Sequence, residues 1–181
     1  MSTRRQVALL RGVNVGRAKR IAMADLRKVL GDLGFSGVRT LLNSGNAVFD
    51  CPAGDAAQSA VRIEEALVLK LGVPARVTVL DAQQLAEVVA ANPLLEQAVD
   101  PSRLMVAVLS NPDDRARLEP LAHQQWQPEA LALGHWAAYL WCVDGVLASR
   151  AAAAVGKLLG DAVTTRNWST ITKLHALAME A

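Results

Sequence analysis

The order in which the apolar period switches along the chain restricts the fold more than any other feature. Residues 6–10, QVALL, read as a short buried strand ending at Arg11. Across MADLRKVLGDLGF (23–35), apolar residues at 23, 26, 29, 30 and 33 form a helical stripe closed by Gly34. VRTLL (38–42) and AVFD (47–50) flank NSGN (43–46), a hairpin signal because Gly45 supplies a positive φ at little cost. A second helix over 55–71 stops at Gly72 and Pro74, and ARVTVL (75–80) reads as a strand. The resulting order, β-α-β-β-α-β, is the split βαβ or ferredoxin-like plan.

The rest of the chain offers the same order again. A helix at 82–91 precedes a strand at 103–110, a helix at 113–123, and strands at 130–133 and 136–142 turning at Gly134-His135. A helix at 150–159 stops at Gly160, 162–165 reads as a short strand, and 167–179 as a final helix. No sequence identity links the halves, so the repeat rests on element order alone. Pro93 and Pro101 mark the boundary between them. The expected fold class is α+β: two ferredoxin-like subdomains packed together, with a C-terminal helix. Residues 1–81 form the first subdomain, 82–102 a helix and linker, and 103–181 the second.

Composition suits that plan. With 181 residues, 52% hydrophobic and 20% charged, the chain buries a sizeable core without disulfides or metals and is not disordered. No apolar run approaches the ~20 residues that span a bilayer. The run before Arg11 is too short for a signal peptide. Cys51 and Cys142 match no metal spacing, which points to a reduced, cytoplasmic compartment. Net charge is only +2, yet residues 1–50 carry nine Lys/Arg against three Asp/Glu, and the remainder ten against fourteen. That asymmetry suggests an anionic partner for the first segment.

The topology says where such a partner would sit. The loop after strand one, the hairpin tip and the loop before strand four fall at one end of the first sheet. That end collects RGVNVGRAKR (11–20), NSGN (43–46) and LGVP (71–74). Gly12 and Gly16 permit unusual backbone angles, and Asn14 is a turn former or a hydrogen-bonding reader of a ligand. Arg11, Arg17, Lys19 and Arg20 lead toward a helix N-terminus, which itself favours anions. The segment is neither a Walker A loop nor GxGxxG. In TTRNWSTITKL (164–174), Asn167 or Thr165 can cap the last helix. There Arg166, Trp168 and Lys173 either form a cationic stacking surface or leave Trp168 as a core anchor. Trp136, Tyr139 and Trp141 read as core packing. His123, His135 and His175 form no HxH or HExxH, and no GxSxG elbow occurs, so neither a metal nor a cofactor is indicated.

Two of these segments resemble a bacterial family, the domain of unknown function numbered 1697. RGVNVGRAKRIAMADLRKVLGDLGFSGVRTLLNSGNAVFD (11–50) is similar to its RGINVGG…LGF…SGNV-F signature, and TTRNWSTITKL to its closing TxRNWNTVxKL. The resemblance spans essentially the whole chain and implies two linked α+β subdomains, with no established activity. It nominates Arg11, Gly12, Asn14, Gly16, Ser44, Gly45, Asn46, Arg166, Asn167, Trp168 and Lys173, without roles; charge adds Arg17 and Lys19. Arg17 stands where members show a second glycine, and Ser169 replaces an asparagine. Ser149-Arg150 stands in for a Ser-Lys, so the charge is kept but no base is available at neutral pH.

The functional expectation is a binder of a phosphorylated small molecule, nucleotide or nucleic acid through 11–20, with no membrane partner and the oligomeric state open. The alternatives are a structural or protein-interaction module without ligand, and an enzyme acting on a phosphorylated substrate.

Overall fold

The computed structural model describes residues 3–97 and 99–181. It divides into two units: the chain up to Leu85 together with Leu174–Ala181, and Ala86–Lys173.

The first unit contains β1 (Arg4–Leu10), α1 (Met23–Asp32), β2 (Ser36–Thr40), β3 (Asn46–Cys51), α2 (Ala56–Leu71) and β4 (Val77–Asp81). Its sheet has the order β2-β3-β1-β4, every pairing antiparallel, which is the ferredoxin-like arrangement. Local chemistry sets the limits of α2. Asp55 and Gln58 form a reciprocal capping box, with Gln58 N–H donating to Asp55 Oδ1 at 2.8 Å. At the other end Gly72 adopts φ +66°, and Val73 N–H reaches back to Leu67 O at 3.1 Å. Leu26, Leu30, Ile63 and Leu67 are buried against Ala8, Leu10, Phe49 and Val79 of the sheet. Phe35 stacks on Phe49 at 4.5 Å between ring centres.

One strand is shorter than its apolar run predicts. VRTLL reads as strand through 42, but β2 ends at Thr40. Leu41 N–H still bonds to Asn46 O, yet Leu42 turns to φ +62° and stands exposed. The reason is Asn46, whose buried amide donates to Leu41 O at 2.8 Å and to Ser44 Oγ at 2.9 Å, closing a wider loop.

The C-terminal residues of the chain complete this unit. Leu174 and Ala178 are buried. Arg5 donates to Ala178 O and Glu180 O, and Arg39 to Leu177 O and the Glu180 carboxylate. Two strand arginines thus satisfy carbonyls that a helix end leaves open.

The second unit holds β5 (Leu104–Leu109), α4 (Arg115–Ala122), β6 (Ala130–Leu133), β7 (Ala137–Trp141), α5 (Arg150–Leu159) and β8 (Val163–Asn167), with sheet order β6-β7-β5-β8. α3 (Ala82–Ala90) follows β4, and α6 (Trp168–Met179) follows β8. The core tryptophan here is Trp126, buried with its indole N–H on Leu121 O. Tyr139 is buried as predicted, but Trp136 and Trp141 are half-buried. Trp168 is also half-buried, because it opens α6 rather than lying inside it.

The second half repeats the first in register as well as in order. Gln6 lies between Phe49 and Asp81, and Met105 between Leu140 and Asn167. Leu10 N–H bonds to Gly45 O, and Leu109 N–H to Trp136 O. Arg11 N–H bonds to Arg76 O, and Ser110 N–H to Ala162 O. Asp81 accepts from Gln84 N–H as Asn167 does from Thr170 N–H. The halves differ most between the first strand and first helix, where 11–22 stands against 110–114.

The repeat also exposes a misfit. Gln6 is fully buried and neither its Nε2 nor its Oε1 has a partner, whereas the second half carries Met105 at that place. An unpaired buried amide costs about 1–3 kcal/mol. Gln6→Met should therefore raise stability by about that amount. The denaturant midpoint at unchanged m-value measures it, and a fall would contradict the assignment.

Candidate functional site

Three hydrogen bonds tie together the loops at the end of the first sheet. Leu10 N–H donates to Gly45 O at 2.8 Å, Arg11 N–H to Arg76 O at 2.9 Å, and Asn14 Nδ2 to Asn43 O at 2.7 Å. Gly12–Lys19, Ser44-Gly45 and the approach to β4 therefore share one end, as the chain direction predicts.

Asn14 organises the first loop. At φ +56° it adopts a left-handed conformation that asparagine tolerates. Its Oδ1 accepts Ile21 N–H and its Nδ2 donates to Ile21 O, both at 2.8 Å, so the side chain pairs like a strand. Its own N–H donates to Lys19 O at 3.0 Å. Val13 is the buried root of this loop. Gly45, at φ +89°, leaves room for that root: a Cβ there would lie 2.7 Å from Leu10 Cβ and 2.8 Å from Val13 Cγ2.

The loop's charge faces water. Arg17, Lys19 and Arg20 are exposed and Arg11 is half-buried. Arg20 donates back to Gly16 O and Asn14 O at 3.3 and 3.4 Å, which steadies the turn. Val15 and Leu42 stand 72% and 56% exposed beside these cations. Ala22 offers α1 no side-chain cap. Its first turn leaves backbone donors at the end of the cationic loop. Ser44 is exposed, while Asn46 is buried and holds the hairpin.

The second constellation lies in the other unit, on β8 and α6. Asn167 caps α6 through Thr170 N–H at 2.9 Å. Arg166 is half-buried, and burial lowers its guanidinium to about 10, so it remains a cation at neutral pH. Lys173 is exposed. These residues are neighbours along one strand and helix, and Asn167 acts locally, as a cap.

Sequence reasoning missed Arg76, which the backbone bond to Arg11 carries to the loop end. It also missed the exposed Leu42, which resembled strand interior. Among the described residues no three His, Cys, Asp or Glu side chains gather to hold a metal ion. No helix among them is long and apolar enough to cross a membrane.

A known structure has the same fold. The conserved bacterial protein SP0830 from Streptococcus pneumoniae superposes with a TM-score of 0.81 over 98% of this chain and 99% of that one, at 20% identity. No curated protein matches the sequence. Over residues 3–139 the chain matches the family described as "Protein of unknown function (DUF1697)", and it belongs to that family.

Proposed function

We propose that the loop end of the first unit binds a phosphorylated ligand, a nucleotide or a short stretch of nucleic acid. The observation that carries this reading is the Asn14-stapled loop, which displays Arg17, Lys19 and Arg20 beside the uncapped N-terminus of α1. The second half forms a sheet of the same order with only 110–114 between its first strand and first helix, so a sheet of this order does not require so long a loop. Cationic side chains and open backbone donors together favour phosphate. Exposed Val15 and Leu42 add apolar contact for a sugar or base.

Binding fits the cluster better than turnover. Residues 11–20 and 41–46 contain no carboxylate, histidine or cysteine, and their charge comes from arginines and the exposed Lys19. Asp25, in the first turn of α1, is exposed.

Titrating nucleotides and short oligonucleotides into wild type and an Arg17→Gln/Lys19→Gln variant tests this reading. Both side chains are exposed, so the variant should melt within about 0.5 kcal/mol of wild type. Affinity should fall as salt rises, and the variant's salt slope should be shallower by roughly one per cation removed. Equal, salt-insensitive or undetectable binding in both proteins would leave the protein-interaction reading in front.

A further inference from the structure

Independently of the cationic loop, we infer that the second unit carries a site for a small organic ammonium ion, built from Glu87, Trp136 and His135. A cavity of about 380 Å³ opens between the end of α3 and the β6–β7 turn. That volume lies in the range of small-ligand pockets. Its floor is apolar, with Val88 and Tyr139 each 1% exposed, and the exposed Ala90 and Ala91 line its side. Its rim is polar and aromatic, formed by Glu87, His135 and Trp136.

The rim is fixed in place. Trp136 Nε1–H donates to Glu87 Oε2 at 2.7 Å, and the His135 ring meets the indole edge-on at 4.6 Å. Underneath, the Tyr139 hydroxyl donates to Val88 O at 2.6 Å, and burial pushes that phenol up to about 12, so it stays protonated. Gly134 admits this ring, since a Cβ there would stand 2.9 Å from Tyr139 Cε2. The strand pairing makes this turn the counterpart of the Ser44-Gly45 hairpin, because Leu109 bonds to Trp136 O as Leu10 bonds to Gly45 O. Where the first hairpin adjoins cations, its counterpart presents an indole bonded to a carboxylate of α3.

Charge decides the ligand class. No Lys or Arg among the described residues lies within 4.0 Å of the Glu87 carboxylate, and its one hydrogen bond among them is the indole N–H on Oε2. A carboxylate anchored by an indole N–H beside apolar walls suits a cation carrying a short apolar body. The ammonium hydrogens meet Glu87 Oε1, and the apolar body lies against Val88, Ala90 and the indole.

The test titrates the full chain with benzylamine, which is protonated at neutral pH, and with benzyl alcohol as its neutral counterpart. Binding is followed by indole fluorescence and amide chemical shifts. Benzylamine should saturate, with shifts at 87–91 and 134–139, and benzyl alcohol should bind at least tenfold more weakly. Glu87→Gln keeps an acceptor for the indole and removes the charge, and should weaken benzylamine tenfold or more. Glu87 is exposed, so this variant keeps its fold, as its melting curve would confirm. Trp136→Phe should abolish the fluorescence change. Equal affinity for the alcohol, an unchanged Glu87→Gln variant, or no saturation with benzylamine would each overturn the assignment.

Discussion

Gly45→Ala should destabilise the protein by about 2–5 kcal/mol, more than any other single-methyl addition at the loop end. Two effects add. An alanine at φ +89° pays for a left-handed backbone, and its Cβ would stand 2.7 Å from Leu10 Cβ and 2.8 Å from Val13 Cγ2. Neither neighbour can retreat. Leu10 is 0% exposed in the central strand β1, and Val13 is 1% exposed at the root of the loop. Gly12→Ala separates the two effects, because φ is +69° there but nothing lies within 4 Å. That variant should lose only about 1 kcal/mol, from backbone strain alone. Chemical denaturation of the pair checks the argument, and equal losses would show that packing beneath Gly45 is not what constrains it.

Glu129→Ala should cost about 2–4 kcal/mol, although the residue lies outside every recognisable motif. Its carboxylate is 8% exposed, accepts the Ser149 hydroxyl, and accepts Arg150 N–H at 2.9 Å. Ser149 Oγ in turn accepts Ala152 N–H at 3.0 Å, capping α5. The Arg150 guanidinium lies 3.7 Å from the same carboxylate and 5.9 Å above the Trp126 ring. Truncation leaves a hydroxyl and a helix-terminal N–H without their acceptor, each worth about 1–3 kcal/mol when buried. Glu129→Gln keeps one acceptor oxygen and should lose about half as much. Cys142 supplies a second readout. It is 0% exposed, and burial raises its thiol above the ordinary range, so thiol reagents should modify it slowly in wild type and faster in Glu129→Ala. A melting temperature within error of wild type would remove Glu129 from the account.

What could be read from the sequence was the part encoded locally. Gly72 ends α2 through short-range hydrogen bonds, and Asn167 caps α6 in the same way, whereas sequence reasoning missed the Asp55–Gln58 capping box. Gly45 takes the positive φ that its hairpin motif requires. The shared end of the first sheet follows from strand direction alone, which is why Asn14 and Asn43 meet. Apolar character alone does not set the geometry of two segments. Leu41 and Leu42 extend a strand-like run, but the Asn46 side chain draws the chain out of β2. Trp168 has the composition of an anchor, yet Trp126 is the buried indole. Long-range features left no local trace. Nothing near Gln6 signals that both its amide atoms would be buried without partners. Nothing near Glu129 points to Ser149. Leu174–Ala181 completes the first unit through Arg5 and Arg39, a pairing no periodicity encodes.

The most direct test of the cationic loop is a residue-resolved map of where a phosphorylated ligand perturbs the backbone. Amide chemical shifts of the full chain, followed while a nucleoside triphosphate is titrated at low salt, should move in a saturable way. The largest changes should fall in 11–24, with smaller ones in 41–46, and they should shrink in the Arg17→Gln/Lys19→Gln variant. Saturable shifts centred elsewhere, or shifts at 11–24 that the variant leaves unchanged, would contradict the proposal that this loop is an anion site.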